Sequence, residues 1–380
     1  MDMKIYLIKF VVLMLFFSAS LCAADRPVWV IDAKTLNLPQ YEDGDNNNEF
    51  GFNPRFRIQF SPKDEIMLSF LQRSKQPMLT IRDKPETSGT SFNVLFLSKE
   101  DGKLINKAEW PVENLQWFQH WSYGPRIYPL PDNGYVGMFN MRLQVLDSSL
   151  NIVRNRLLER LPEPNGYTFS VPLHGTFFVL RKGFNTFMGP YDIIDYSTFE
   201  IADNVNDGII DVWRDKLLIA GRTGNNIDRL FERTIGGAPG GFHLKIDGFR
   251  DAKFAHNGAV IVLGHTGGRG QAIQYYWFTI ENGETSKPVF VEGEVVRNMV
   301  LARNAPVVAI EASRSRAFDR GTTHWVSVYD INTQQRLLQT RTRNEAAHYA
   351  LSSDGRYLAV FWRTRRTIEL YRVPEPSTKK

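Results

Sequence analysis

The stretch Ala346–Val373, AAHYALSSDGRYLAVFWRTRRTIELYRV, decides the fold. It reads as a strand, a tight turn, a second strand, a loop and a third strand. Its turn is Asp354-Gly355, two residue types that cap a turn or tolerate left-handed backbone. The run Tyr357-Leu358-Ala359-Val360 behind it lacks polar alternation, as a strand buried on both faces does. The same phrase returns along the chain. Its turn anchors are Asp64, Gly134, Gly175, Asp215, Gly258, Asn304 and Gly355. The strands that follow them read IMLSF, YVGMF, TFFVL, LLIAG, AVIVL, PVVAI and YLAVF.

Successive anchors are 70, 41, 40, 43, 46 and 51 residues apart. A period in the low to mid forties is that of a four-stranded propeller blade, about 40–45 residues. The first interval is long because Gln72–Ser91 and Trp110–Pro125 extend the first unit. A second phrase falls half a period later, an apolar strand running into a polar turn. Its copies are VLFLSKEDGKL (94–104), LQVLDSSLNIV (143–153), DIIDYSTFEIA (192–202) and WVSVYDINTQQRLL (325–338). These turns join the third and fourth strands of a unit. NIDRLFERT (226–234) is the weakest copy.

In this grammar the chain resembles the WD-repeat and YVTN-type β-propeller superfamily over about residues 26 to 374, best in ALSSDGRYLAV and VSVYDINTQQRLL. The Trp-Asp and Gly-His dipeptides of eukaryotic WD repeats are absent from the expected strand ends. LSKEDGKLINKAEW (97–110) is also similar to the turn-then-Trp phrase of quinoprotein dehydrogenase propellers, once. The expected fold is all-β: one seven-bladed propeller of four-stranded blades over residues 25–374, with residues 375–380 as a tail. The last unit shows three strands before Pro374. The strand left over is Val28–Asp32, which should become its outer strand and close the ring, since an open edge invites aggregation.

Residues 1–24 read as a secretory signal peptide. Lys4 and Lys9 precede an apolar run, Phe10–Phe17, and Cys22-Ala23-Ala24 resembles a cleavage site. Export to the periplasm or the extracellular space is the expectation. The run is short of the ~20 residues of a membrane span, and no later run could cross one. Cys22, the single cysteine, raises lipidation as the alternative, though Leu21 stands where such sites carry a small residue. A chain cleaved after Ala24 has no thiol for a disulfide, a nucleophile or a metal.

No catalytic or cofactor signature is present: no G-x-S-x-G elbow, no H-E-x-x-H, no Walker loop and no dinucleotide fingerprint opening a helix. Neither a cofactor nor a metal is expected. The seven histidines stand singly. Asp43–Glu49 alternates oxygen ligands, but Pro54 stands where a calcium loop needs glutamate, so a solvated loop is the reading. Gly236–Gly241 and Gly264–Gly270 lead into no helix and read as loops. The aromatic connection around Trp117 and Trp121 is either packing between blades or a contact platform for a partner.

Charge is the most informative pattern. Loops after second strands share one face of a propeller with the blade-to-blade connections. Arg73, Arg142, Arg181, Arg222, Arg269, Arg314, Arg316, Arg363 and Arg365 fall there, at least one per blade. The opposite turns lean acidic, and the formal net charge of +5 conceals the segregation. The expected function is an exported binding module recognising an anionic ligand, an acidic glycan or an acidic protein surface on that basic face. Nucleic acid is less favoured. The alternatives are an extracytoplasmic lyase or hydrolase acting on an anionic glycan, and a subunit of a cell-envelope assembly.

Overall fold

A computed structural model describes residues 26–38, 56–72, 91–112, 125–139, 141–159, 167–182, 190–223, 226–246, 248–268, 271–315, 322–343, 347–362 and 365–376. They form seven antiparallel sheets arranged as a β-propeller. Blades one to six each run from an inner to an outer strand in chain order. Blade one comprises Arg57–Phe60, Ile66–Gln72, Ser91–Leu97 and Leu104–Pro111. Blade two comprises Arg126–Pro129, Tyr135–Phe139, Arg142–Leu146 and Ile152–Leu157, and blade three Tyr167–Ser170, Phe177–Lys182, Tyr191–Asp195 and Ile201–Val205. Blade four has Gly208–Trp213, Lys216–Thr223, Asn226–Thr234 and Pro239–Lys245. Blade six has Val295–Leu301, Val307–Ser315, Thr322–Asp330 and Arg336–Arg343.

Blade five departs from the pattern. After Phe249–Phe254, Val260–Gly268 and Gln271–Glu281, its outer strand is broken into Glu284–Thr285 and Val289–Val291, both paired to the third strand. Pro288, which has no N–H to donate, lies in the break. There Ser286 bonds Thr279 through both its backbone and its hydroxyl. The glycine-rich stretches expected as loops are largely strand. Gly240 and Gly241 belong to the outer strand of blade four, and Gly264–Gly268 ends the second strand of blade five. Gly264 is paired on both edges, with Phe249 and Tyr276, whereas Gly267 keeps left-handed backbone at a register shift.

Blade seven, Ala347–Leu351, Tyr357–Trp362 and Thr367–Arg372, takes its outer strand from the start of the described chain. Trp29–Asp32 pairs antiparallel with Thr367–Leu370, closing the ring as expected. Trp29 and Ile31 turn inward onto the cluster between blades seven and one, while Val28 and Val30 face outward at 50% and 52% exposure. The Trp29 indole N–H donates to the Lys99 carbonyl at 2.9 Å, tying the closing strand to blade one. Gly102 is required there. Its φ is +71°, and a Cβ would lie 2.2 Å from Ile31 Cδ1.

Seven apolar clusters form the core, one at each blade interface. Period-two alternation sends successive side chains to different neighbours. Thus Ile66, Leu68 and Phe70 join the cluster with blade seven, and Met67 and Leu71 the cluster with blade two. That is why the second strands read as unbroken apolar runs. The turns follow the anchors, with a shift. Left-handed backbone falls on Asp64, Gly175, Gly258 and Gly355 themselves, but on Asn133 and Arg214, one residue early, in blades two and four. The acidic turns are largely self-capping. Asp147, Asp195, Asp330 and Asp354 each accept, through Oδ1, the backbone N–H two residues on. Among the described residues no helix is long and apolar enough to cross a membrane.

Trp29→Ala should cost about 2–4 kcal/mol in denaturant unfolding, the range of large-to-small core changes. The outward Val30→Thr should stay within about 0.5 kcal/mol. Equal, small effects would mean that the closing strand does not bear on stability.

Candidate ligand-binding channel

The inner strands stand around an axial channel. Their inward edges have no sheet partner, so backbone donors and acceptors there must be satisfied otherwise. Blades four, five and six use one device. The strand register shifts at Asp211, Asp251 and Asn298. At each shift the side-chain oxygen accepts the N–H of the next residue, Val212, Ala252 or Met299, at 2.9 Å. Asp211 also accepts the Phe254 N–H through Oδ2 at 2.8 Å, binding blade four to blade five. Tyr349 links blades six and seven. Its hydroxyl donates to the Asn298 carbonyl at 2.8 Å and accepts the Glu311 N–H at 3.1 Å.

These groups are electrostatically coupled. Burial pushes the Asp211 carboxyl up to about 6, against the opposing pull of Lys253 and the two backbone donors. Burial raises Asp251 too, again against Lys253. The Lys253 ammonium is held charged chiefly by Asp251, then by Asp211 and Tyr128, despite its own desolvation. Lys253 is thus coupled to charged and polar groups of blades two, four and five. Burial and the nearby Glu311 carboxylate raise the Tyr349 hydroxyl well above its ordinary range.

On the opposite wall stands positive charge. Arg57 and Arg126 open the inner strands of blades one and two, and Arg181 lies at the end of the second strand of blade three. Strand direction places all three at the channel end that carries the blade connections. The Arg57 guanidinium lies 4.8 Å from the Tyr128 ring centroid, a cation–π contact. Arg126 is only 7% exposed. Desolvation lowers it to about 10 against the opposing influence of Tyr128, with smaller contributions from the charges of Arg57 and Arg181.

Of the arginines expected on the basic face, Arg142, Arg181, Arg222, Arg314 and Arg365 stand on or beside second-to-third-strand connections, in blades two, three, four, six and seven. Local partners moderate several. Arg142 donates to Asn155 at 3.4 Å. Arg365 lies 3.6 Å from the buried Glu369 and over the Trp362 ring, so it is part of blade seven's packing rather than a free rim charge. Lys182, beside Arg181, pairs with Asp192 at 2.7 Å. Arg73, Arg269, Arg316 and Arg363 lie outside the described residues, as do Trp117, Trp121 and the Asp43–Glu49 loop.

Sequence reasoning missed Arg57, Arg126, Lys253 and the bulge residues. A signal existed: FRIQF (56–60) and PRIYP (125–129) both put Arg-Ile at the start of an inner strand, and Asp211 and Asp251 each fall a few residues ahead of a turn anchor.

Solved structures share this ring. Hydrazine synthase of Kuenenia stuttgartiensis matches with a TM-score of 0.52 at 14% identity, over 88% of this chain and 99% of that one. Raptor of Chaetomium thermophilum matches with a TM-score of 0.53 at 11% identity, over 85% of this chain and 28% of that one. An uncharacterised protein of Listeria monocytogenes EGD-e matches with a TM-score of 0.51 at 10% identity, over 86% and 96%. At such identities the likeness is one of fold alone. No family model and no curated protein matches the chain.

A carboxyl raised by burial favours folding only while protonated. For Asp211 that contribution is complete below about pH 4, its ordinary range, and is lost as pH rises through about 6. Asp211→Asn cannot titrate, and its amide oxygen can keep the one bond that Asn298 makes at its own bulge. The stability of Asp211→Asn relative to the unsubstituted protein should therefore rise between pH 4 and 7, by no more than about 3 kcal/mol. A flat difference across thermal melts in that window would contradict the assignment.

Proposed function

We propose that this chain is an exported binding module, built on the repeat grammar of WD-repeat and YVTN-type propellers, that takes an anionic ligand at the basic end of its channel. The observation that carries the reading is the convergence of Arg57, Arg126 and Arg181 from three blades, with Arg126 almost wholly buried. A planar guanidinium can grip two oxygens of a carboxylate or phosphate at once. The outer arginines of the same face, Arg142 and Arg314 among them, add a field that speeds the approach of anions. An acidic glycan is the favoured ligand, because Asp251, Lys253 and Tyr128 add hydroxyl-binding donors and acceptors within the same channel.

A second reading is a hydrolase or lyase acting on that glycan. It is favoured by one feature: two carboxyls with raised affinity for protons lie beside an ammonium in the channel. Asp211 has both oxygens committed to backbone donors, so Asp251 would be the acid. Release of new reducing ends from polygalacturonate, lost in Asp251→Asn, would select this reading.

Calorimetry with galacturonate oligomers tests the binding reading. Arg126→Ala should weaken binding about tenfold or more, Arg142→Ala far less, and affinity should fall as salt rises. An affinity that ignores both Arg126 and salt would refute it. Export is tested separately by mass spectrometry of the secreted chain: its N-terminus should lie near Asp25, and a chain retaining residues 1–20 would overturn the signal-peptide reading.

A further inference from the structure

We infer that the hub of the ring, on the face opposite the blade connections, binds a phosphate group between His174, Trp213, Arg214, His256 and Arg303. These residues lie in or beside the first turns of blades three, four, five and six, and every turn between strands on that face is among the described residues. The turns touch one another. His174 forms a backbone bridge with Trp213, and a Cβ on Gly175 would lie 3.0 Å from the Arg214 Cα. A Cβ on Gly258 would lie 2.8 Å from the Trp213 ring, so the blade-five turn that carries His256 lies against that indole. Leu173 packs into the apolar cluster of blades five and six. Arg303 reaches across to blade two, where its guanidinium donates to the Leu130 carbonyl at 3.1 Å and the Pro129 carbonyl at 3.3 Å.

These turns gather hydrogen-bond donors. Three ring nitrogens, His174 Nε2, Trp213 Nε1 and His256 Nδ1, are shielded from solvent and make no hydrogen bond with the described residues. Buried polar atoms are nearly always satisfied, so each calls for a partner. Arg303 uses two of its five N–H groups on the blade-two carbonyls. The Arg214 guanidinium is exposed and lies 4.5 Å from the Trp213 ring centroid. Indole and guanidinium only donate, and an imidazole donates from both nitrogens once protonated. The other four side chains are half-buried, which leaves them within reach of a ligand.

The charge balance agrees. Burial first, then Arg303, His256 and Arg214, lower His174 to about 4. Burial lowers His256 as well. Asp132 and Tyr196 support the Arg303 charge against its desolvation. Lys216 stands 6.0 Å from the Trp213 ring centroid but is paired with Glu232 at 2.9 Å. An anion among these groups opposes the guanidinium charges and favours the protonated imidazoles. A carboxylate presents two oxygens in one plane and suits a single fork. Donors arriving from four blades suit a tetrahedral group with oxygens in several directions, and phosphate has that shape and a charge near −2.

Calorimetry with inorganic phosphate, glycerol phosphate and acetate tests the site. Phosphate should bind saturably, and acetate about tenfold more weakly or worse. Trp213→Phe keeps a ring against Gly258 and removes one N–H, so it should weaken phosphate about tenfold. Arg214→Ala, in an exposed turn, should weaken it too and serves if the ring change misfolds. Arg126→Ala should leave it unchanged, which separates this site from the arginine wall. Sulfate stays a dianion and reports the protein's own protons. Its affinity should rise as pH falls toward about 4, where His174 takes a proton unaided, and His174→Gln with His256→Gln should flatten that profile. Tighter binding of glycerol phosphate marks a phosphate monoester as the natural ligand, tighter binding of inorganic phosphate the free ion, and either upholds the site. Acetate binding as tightly as phosphate overturns the phosphate assignment. No saturable binding, or binding indifferent to Trp213→Phe and Arg214→Ala, means that water serves these nitrogens and overturns the inference. Binding lost in Arg126→Ala instead puts the anion on the arginine wall and overturns it equally.

Discussion

Everything in this ring depends on the need to leave no sheet edge open. Each blade is a small twisted sheet, and its last strand would expose a row of backbone groups if the chain simply stopped. Pairing Trp29–Asp32 with Thr367–Leu370 joins the two ends of the described chain through backbone hydrogen bonds and fixes the number of blades at seven. Once closed, the ring puts every blade between two others. Both faces of each second strand are then buried, which gives the unbroken apolar runs and the one cluster per interface.

Closure solves the outer problem and leaves an inner one. The inner strands have an edge toward the channel, where no further strand fits. Asp211, Asp251 and Asn298 answer it with side-chain oxygens, and Tyr349 with its hydroxyl. Polar groups that exist to satisfy backbone thus line the channel, and their burial makes two of them unusually ready to hold a proton. The structural device and the candidate site are the same residues. The asymmetry between the channel ends has a different source: a long cation crosses one end and finds carbonyls, while at the other three arginines converge.

The architecture was largely legible in the sequence because it is periodic. Gly355, Gly258 and Gly175 carry left-handed backbone where the turn phrase put them, and YLAVF is the buried strand it was read as. The leftover strand closes the ring. Two things escaped. The break in blade five's outer strand arises from Pro288 and from Ser286 substituting for a strand partner, a tertiary event that no propensity announces. The channel cluster escaped because it is assembled from one or two residues each of strands far apart in the chain. Loop arginines are visible as a class, whereas Arg57 and Arg126 sit inside strands and look like ordinary alternation. Charge counting therefore favoured the rim and overlooked the wall. Arg365, a rim charge in sequence, is in space also a partner of buried Glu369.

The central claim is that a ligand's anionic group sits against the arginine wall of the channel. A crystal structure with bound digalacturonate tests it most directly. The account predicts carboxylate density within hydrogen-bond distance of Arg126 and of Arg57 or Arg181. Sugar density on the outer rim or between blades, with the arginine wall contacting only solvent, would contradict it.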